Sequence, residues 1–138
     1  INPSFHFARE DIALADIFGG SISSGVESLR GLVENFPDHP TSPYRLSILS
    51  IGYIMLGDGN SALTHALDAY ERKSIIRLHP LVYAAAASGN KDITGSIEFQ
   101  KIVDEHGLRV LDARRFPFAD ENATYALETL LRAAGLPE

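Results

Sequence analysis

Three glycines, each followed by a small polar residue suited to capping a helix, divide this chain: Gly20-Ser21, Gly57-Asp58 and Gly89-Asn90. Each pair closes one apolar stretch and opens another. Glycine just past a helix end takes the left-handed backbone without a Cβ clash. Ser, Asp or Asn next to it can accept a hydrogen bond from the free N–H groups of the following helix. The glycines lie 37 and 32 positions apart (20 to 57, 57 to 89), on either side of the about 34 residues of a helical-hairpin repeat. The punctuation therefore predicts an all-α fold of three antiparallel hairpins.

Periodicity places the helices. The first helix of each hairpin is expected over roughly residues 4–18, 43–56 and 76–88. In the second helices, apolar residues step by three or four: Ile22, Val26, Leu29, Val33 and Phe36, then Leu63, Ala66, Leu67 and Tyr70. The third set, Ile93, Ile97 and Ile102, is less regular, and Gly95 weakens it. Pro37, Pro40 and Pro43 rule out helix between the first two hairpins, while Pro80 either delays the third or kinks it. Strand signals are nearly absent; Leu81-Val82-Tyr83 is the best β-like triplet, and four alanines follow it.

The tail after Gly107 breaks the pattern. A short helix is expected at 108–115, then an extended or turn conformation at Phe116-Pro117-Phe118. Asp120 caps a last helix over 121–134, with the stripe Ala123, Leu127, Leu130, Leu131 and Ala134.

Composition removes several function classes. The chain has no cysteine, which excludes disulfides and thiolate metal sites. Net charge is −6, and residues 1–40 hold six acids against two bases, the opposite of a phosphate-binding face. Small basic clusters (Arg72, Lys73 and Arg77; Arg109, Arg114 and Arg115) read as solvated helix ends. The longest near-apolar run, Leu46 to Leu56, falls short of the about 20 residues of a spanning helix. With no signal peptide, the expectation is a cytoplasmic protein that contacts neither nucleic acid nor membrane. The opening Ile1-Asn2-Pro3 suggests a fragment of a longer protein.

No catalytic motif stands out. None of His6, His39, His65, His79 and His106 lies four residues from another, so no helical two-histidine metal face exists. His65 and Asp68 share a helix face without a third ligand, and His79 before Pro80 reads as a helix cap. Gly20 and Gly25 have phosphate-loop spacing, but Val26-Glu27 stands where Lys and Ser/Thr are required. Gly57-Asp58-Gly59 follows a helix and lacks the third glycine of a dinucleotide turn. Asn122-Ala123-Thr124 matches a glycosylation acceptor, with nothing arguing for secretion. No catalytic residue, cofactor or metal is expected for this segment.

Each hairpin resembles a tetratricopeptide repeat. Gly25, Leu29, Leu32 and Pro37 fit that pattern in the first, and Ala62, Ala66 and Ala69, with Ser50, fit the second. In the third, Gly95, Phe99 and Ile102 fit only after a one-residue slip. The resemblance implies one tetratricopeptide-like domain over 1–138, with repeats at about 4–36, 43–73 and 76–106 and a C-terminal extension over 107–138. Arg114-Arg115-Phe116-Pro117-Phe118 and the closing Leu131-Arg132-Ala133-Ala134-Gly135-Leu136-Pro137-Glu138 resemble the C-termini of bacterial signalling proteins. In those, such repeats follow a class III adenylate/guanylate cyclase domain or a winged-helix DNA-binding domain. The resemblance implies a protein-interaction module regulating an attached cyclase; the alternative is an effector-sensing or oligomerising part of a winged-helix transcription regulator.

The helix over 43–56 is apolar all the way round, so it must be covered on every side. On the repeat pattern, Tyr44, Ile51, Ile54 and Met55 face a concave groove, with Phe7, Leu14, Ile17 and Phe18 along one side and Tyr83 on the other. Two occupants are open: the chain's own tail, or a protein or peptide partner or second copy. In the second case the expected contact residues are Phe7, Leu14, Phe18, Tyr44, Ile51, Ile54, Met55 and Tyr83.

Overall fold

The computed structural model describes residues 3–72 and 78–138, with side chains from residue 6 onward in the first stretch. Among the described residues every regular element is helical. In order these are α1 (Pro3–Gly19), α2 (Ile22–Asn35), α3 (Ser42–Met55), α4 (Gly59–Glu71), α5 (Leu78–Ala87), the single turn α6 (Lys91–Thr94), α7 (Ile97–His106), a 3-10 helix (Val110–Arg115) and α8 (Glu121–Ala133). The expected repeat boundaries at 73 and 76, Lys73 and Arg77 of the basic cluster, and the opening Ile1-Asn2 lie outside the described residues.

Small residues set the helix crossings. Where α2 packs on α1, a Cβ on Gly25 would lie 2.7 Å from both the Ala13 carbonyl oxygen and Ile17 Cγ1. Only glycine lets these two backbones approach so closely. Where α3 packs on α4, Ala62 is fully enclosed and the Ser50 hydroxyl donates to the Ala62 carbonyl at 2.7 Å. Val26 of α2 sits against Gly52 of α3, joining the two helix pairs through one core with Ile17, Leu29, Leu49 and Ile51.

The polar punctuation acts as helix caps at two of its three sites. Asp58 accepts from the Ser61 N–H at 3.1 Å and Asn90 from the Ile93 N–H at 3.2 Å. Ser21 makes no such side-chain bond. Gly20 and Gly57 take positive φ, at 106° and 78°, whereas Gly89 does not.

The third helix pair departs from the expected stripe. Its second member breaks at Gly95-Ser96, and Ser96 restarts the helix by accepting from the Phe99 N–H at 3.1 Å. The break resets the helical phase. Phe99 and Val103 now face the core, and Ile97, assigned to the stripe from its spacing, is 83% exposed. Pro80 sits in the first described turn of α5, which continues through it to Ala87. Leu81-Val82-Tyr83 is helical, inside α5.

The tail folds back on the helices. Residues 110–115 form a 3-10 helix, tied to the C-terminus by the Val110 N–H to the Pro137 carbonyl at 2.7 Å. α8, capped by Asp120, packs on this turn and on α5 through Leu127 and Leu131. Between them, residues 116–119 form a strap, tightened by a turn in which the Phe118 N–H donates to the Phe116 carbonyl at 2.9 Å, that reaches the C-terminal end of α1. There the Ala119 N–H donates to the Phe18 carbonyl at 2.9 Å, and Phe18 stacks on Phe116 and meets the edge of Phe118.

Candidate functional site

Glu10, Leu14 and Phe18 follow one another at four-residue intervals, so they form a single row along α1. The strap crosses the far end of that row. Tyr44, just after Pro43 in the first turn of α3, reaches it from the side. The result is an open cleft of about 430 Å³ with Leu14, Phe18 and Tyr44 on one side and Pro117 and Ala119 of the strap on the other. A second cleft of about 360 Å³ shares Leu14 and Tyr44 and continues to Glu10, Asp11, Thr41 and Pro43. Leu14, Phe18 and Tyr44 are each half-buried. Burial first, then the carboxylates of Glu10 and Asp11, hold the Tyr44 hydroxyl proton more tightly than in a free tyrosine, raising its pKa.

The other expected contact residues are elsewhere. Ile51 is fully enclosed, because α3 lies between its neighbours and is covered by the chain itself. Ile17, expected along the groove, is buried where α1, α2 and α3 meet. Tyr83 turns away from the cleft and is buried in an aromatic ladder. It stacks on Tyr70 of α4 at 5.4 Å between ring centres and lies 6.2 Å from Phe99 of α7. Ile54 lines a separate cleft of about 710 Å³ between the helix-connecting turns, with Leu63, Ala86 and Leu130. Met55 is half-buried against the core. Phe7 is 50% exposed and meets the ring of His39 edge-on. All-round apolar character in α3 thus reflects cover by the chain's own helices more than a groove of eight residues.

Two buried polar pairs escape a reading by spacing. Arg45 Nε donates to Glu10 Oε1 at 3.1 Å, with both side chains almost entirely enclosed. The two terminal guanidinium nitrogens have no partner among the described residues. The pair backs the acidic end of the cleft and fixes α1 against α3. The other pair is His79 and Ser47, both buried, with the ring Nδ1 hydrogen-bonded to the hydroxyl. His79 is a core residue inside α5 and not the helix cap its place before Pro80 suggested. Burial alone lowers its pKa below the usual histidine range. A lone Arg between Tyr44 and Leu46 was the available signal for the first pair. For the second nothing in the spacing pointed to it.

Among the described residues no three His, Asp or Glu side chains are placed to hold a metal ion. His65, paired in the sequence with Asp68, bonds instead to the Ser61 carbonyl and lies against Tyr53. No described helix is long and apolar enough to cross a membrane. No protein-family model matches the chain, and neither does any curated protein or solved structure.

Proposed function

We propose that this chain is a tetratricopeptide-like module for protein contacts, and that the joined clefts along α1 are its peptide-binding groove. One observation carries the reading: Leu14, Phe18 and Tyr44 stay partly open along two adjoining clefts, which share Leu14 and Tyr44, although the tail has folded down beside them. A tail that served only to bury apolar surface would cover these side chains. Small residues at the first two crossings, Gly25 and Ala62, support the repeat reading. In the setting suggested by the tail motif, a cytoplasmic cyclase-like protein or a winged-helix regulator, this groove joins the segment to a partner or to a second copy.

Selection of a random-peptide display library on the chain tests this. Enriched peptides should compete with one another and lose most of their binding to Leu14→Asp, whose side chain is half-exposed and whose fold circular dichroism can verify. Equal binding to a folded Leu14→Asp variant would place peptide recognition elsewhere and sink the reading.

A further inference from the structure

The groove is chemically lopsided. At one end are Phe18, Pro117 and Ala119, apolar and beside the strap; at the other are Glu10 and Asp11, with Tyr44 between. The Glu10 charge is met by Arg45 from behind, while Asp11 is exposed. The wider surroundings add to this sign, since residues 1–40 carry six acids and two bases. From Glu10 to Gly19 α1 rises about 13 Å at 1.5 Å per residue. About four residues of extended chain span that distance. Cavities of this size hold a few side chains.

Resting on the peptide-groove reading, we propose that the occupant is a short extended segment of a protein partner pairing a cationic side chain with an apolar one. Its Lys or Arg lies at the Asp11 end, and its apolar side chain enters between Phe18 and Pro117. The cation gains from an exposed carboxylate and from the negative field of the first two helices, which also raises the association rate. The apolar anchor supplies the desolvated contact that an exposed ion pair, weak by itself, does not. An acidic segment meets like charge at Asp11 and is rejected.

Three synthetic tetrapeptides test this by titration into the full chain, followed by amide chemical shifts: Lys-Ala-Leu-Phe, Glu-Ala-Leu-Phe and Lys-Ala-Ser-Ser, all blocked at both ends. The first should shift amides at 10–19, 41, 42, 44, 118 and 119, and bind about five-fold or more tighter than the second at low salt, with the gap shrinking at high salt. Asp11→Lys, an exposed substitution, should remove or reverse that preference while leaving the apolar contribution. Equal binding of the first two peptides in the cleft, or an unchanged preference in Asp11→Lys, overturns the cationic specificity and leaves the groove standing. Shifts confined to other surfaces, or no binding by any peptide, overturn both.

Discussion

The Ala119 N–H donates to the Phe18 carbonyl at 2.9 Å, so a residue near the end of the chain caps the C-terminus of its first helix. The last carbonyls of a helix have no partner within it, and here the strap supplies one. The same contact brings Pro117 and Ala119 beside Leu14 and Phe18. The tail thus closes the helical array and builds one wall of the groove.

Truncation after Arg115 removes the strap and α8 together. Phe116, Leu127 and Leu131, all buried, leave uncovered the surfaces of α1 and α5 on which they sit. A helix of this length does not hold alone, so its stripe and the surface it covers stabilise each other. The truncated chain should bind a hydrophobic dye, aggregate, or melt well below the intact chain. A truncated chain that stays monomeric with an unchanged melting temperature would show the tail to be dispensable.

Glycine substitutions should split by sign. At Gly25 an added methyl meets the Ala13 carbonyl and Ile17, and at Gly52 it meets Val26. Either alanine variant should cost about 1–3 kcal/mol, as overpacking does, and Ala62→Leu should cost a similar amount. At Gly31, in the middle of α2, nothing lies within 4 Å of the added methyl. There alanine should stabilise by about 0.5–1 kcal/mol through lost backbone freedom in the unfolded chain. Urea denaturation of the four variants checks the pattern, and a destabilised Gly31→Ala would contradict it.

Helix positions were legible because local chemistry marks them. Pro43, Asp58 and Asn90 act within a turn of where they stand, and the starts of α3, α4 and α6 follow. The third helix pair was less legible because Ser96, an unremarked serine, restarts α7 and rotates the inward face from Ile97 to Phe99 and Val103. The groove was legible in part: Leu14, Phe18 and Tyr44 come together, but Ile51 and Tyr83 do not join them. Helical spacing says that a face is apolar, not which neighbour covers it. Arg45 and Glu10 are far apart in sequence and look like ordinary surface charges until α1 and α3 are packed.

That buried pair predicts a non-additive mutational cycle. Replacing one partner leaves the other charge enclosed without compensation, and Glu10→Leu or Arg45→Met should each cost about 3–5 kcal/mol. Replacing both, as Glu10→Leu with Arg45→Met, removes two desolvated charges and should recover most of that loss. Two guanidinium nitrogens without partners among the described residues strengthen the expectation, since they add nothing that the double variant forfeits. A double variant as unstable as the sum of the singles would show that the pair is not a coupled unit.

The last prediction concerns His79. Its ring is enclosed, its Nδ1 bonds to the Ser47 hydroxyl, and its Nε2 has no partner among the described residues. Burial therefore favours the neutral ring and places the folded-state pKa below the 6.5 of a free histidine. In the unfolded chain the ring takes up a proton near pH 6.5, whereas in the folded chain it does not until lower pH. Between those two values the unfolded state binds more protons, so stability falls as pH falls, by up to about 1.4 kcal/mol per unit for one group. Above about pH 6.5 the contribution is fully present, and below the folded-state pKa it stops changing. His39 is shifted in the same direction, by burial and then by the Arg45 charge, but is only half-buried. Urea denaturation between pH 5 and 8 should therefore show a falling limb that His79→Gln flattens and His39→Gln largely preserves. A His79→Gln profile parallel to that of the parent chain would mean the buried ring does not titrate with folding.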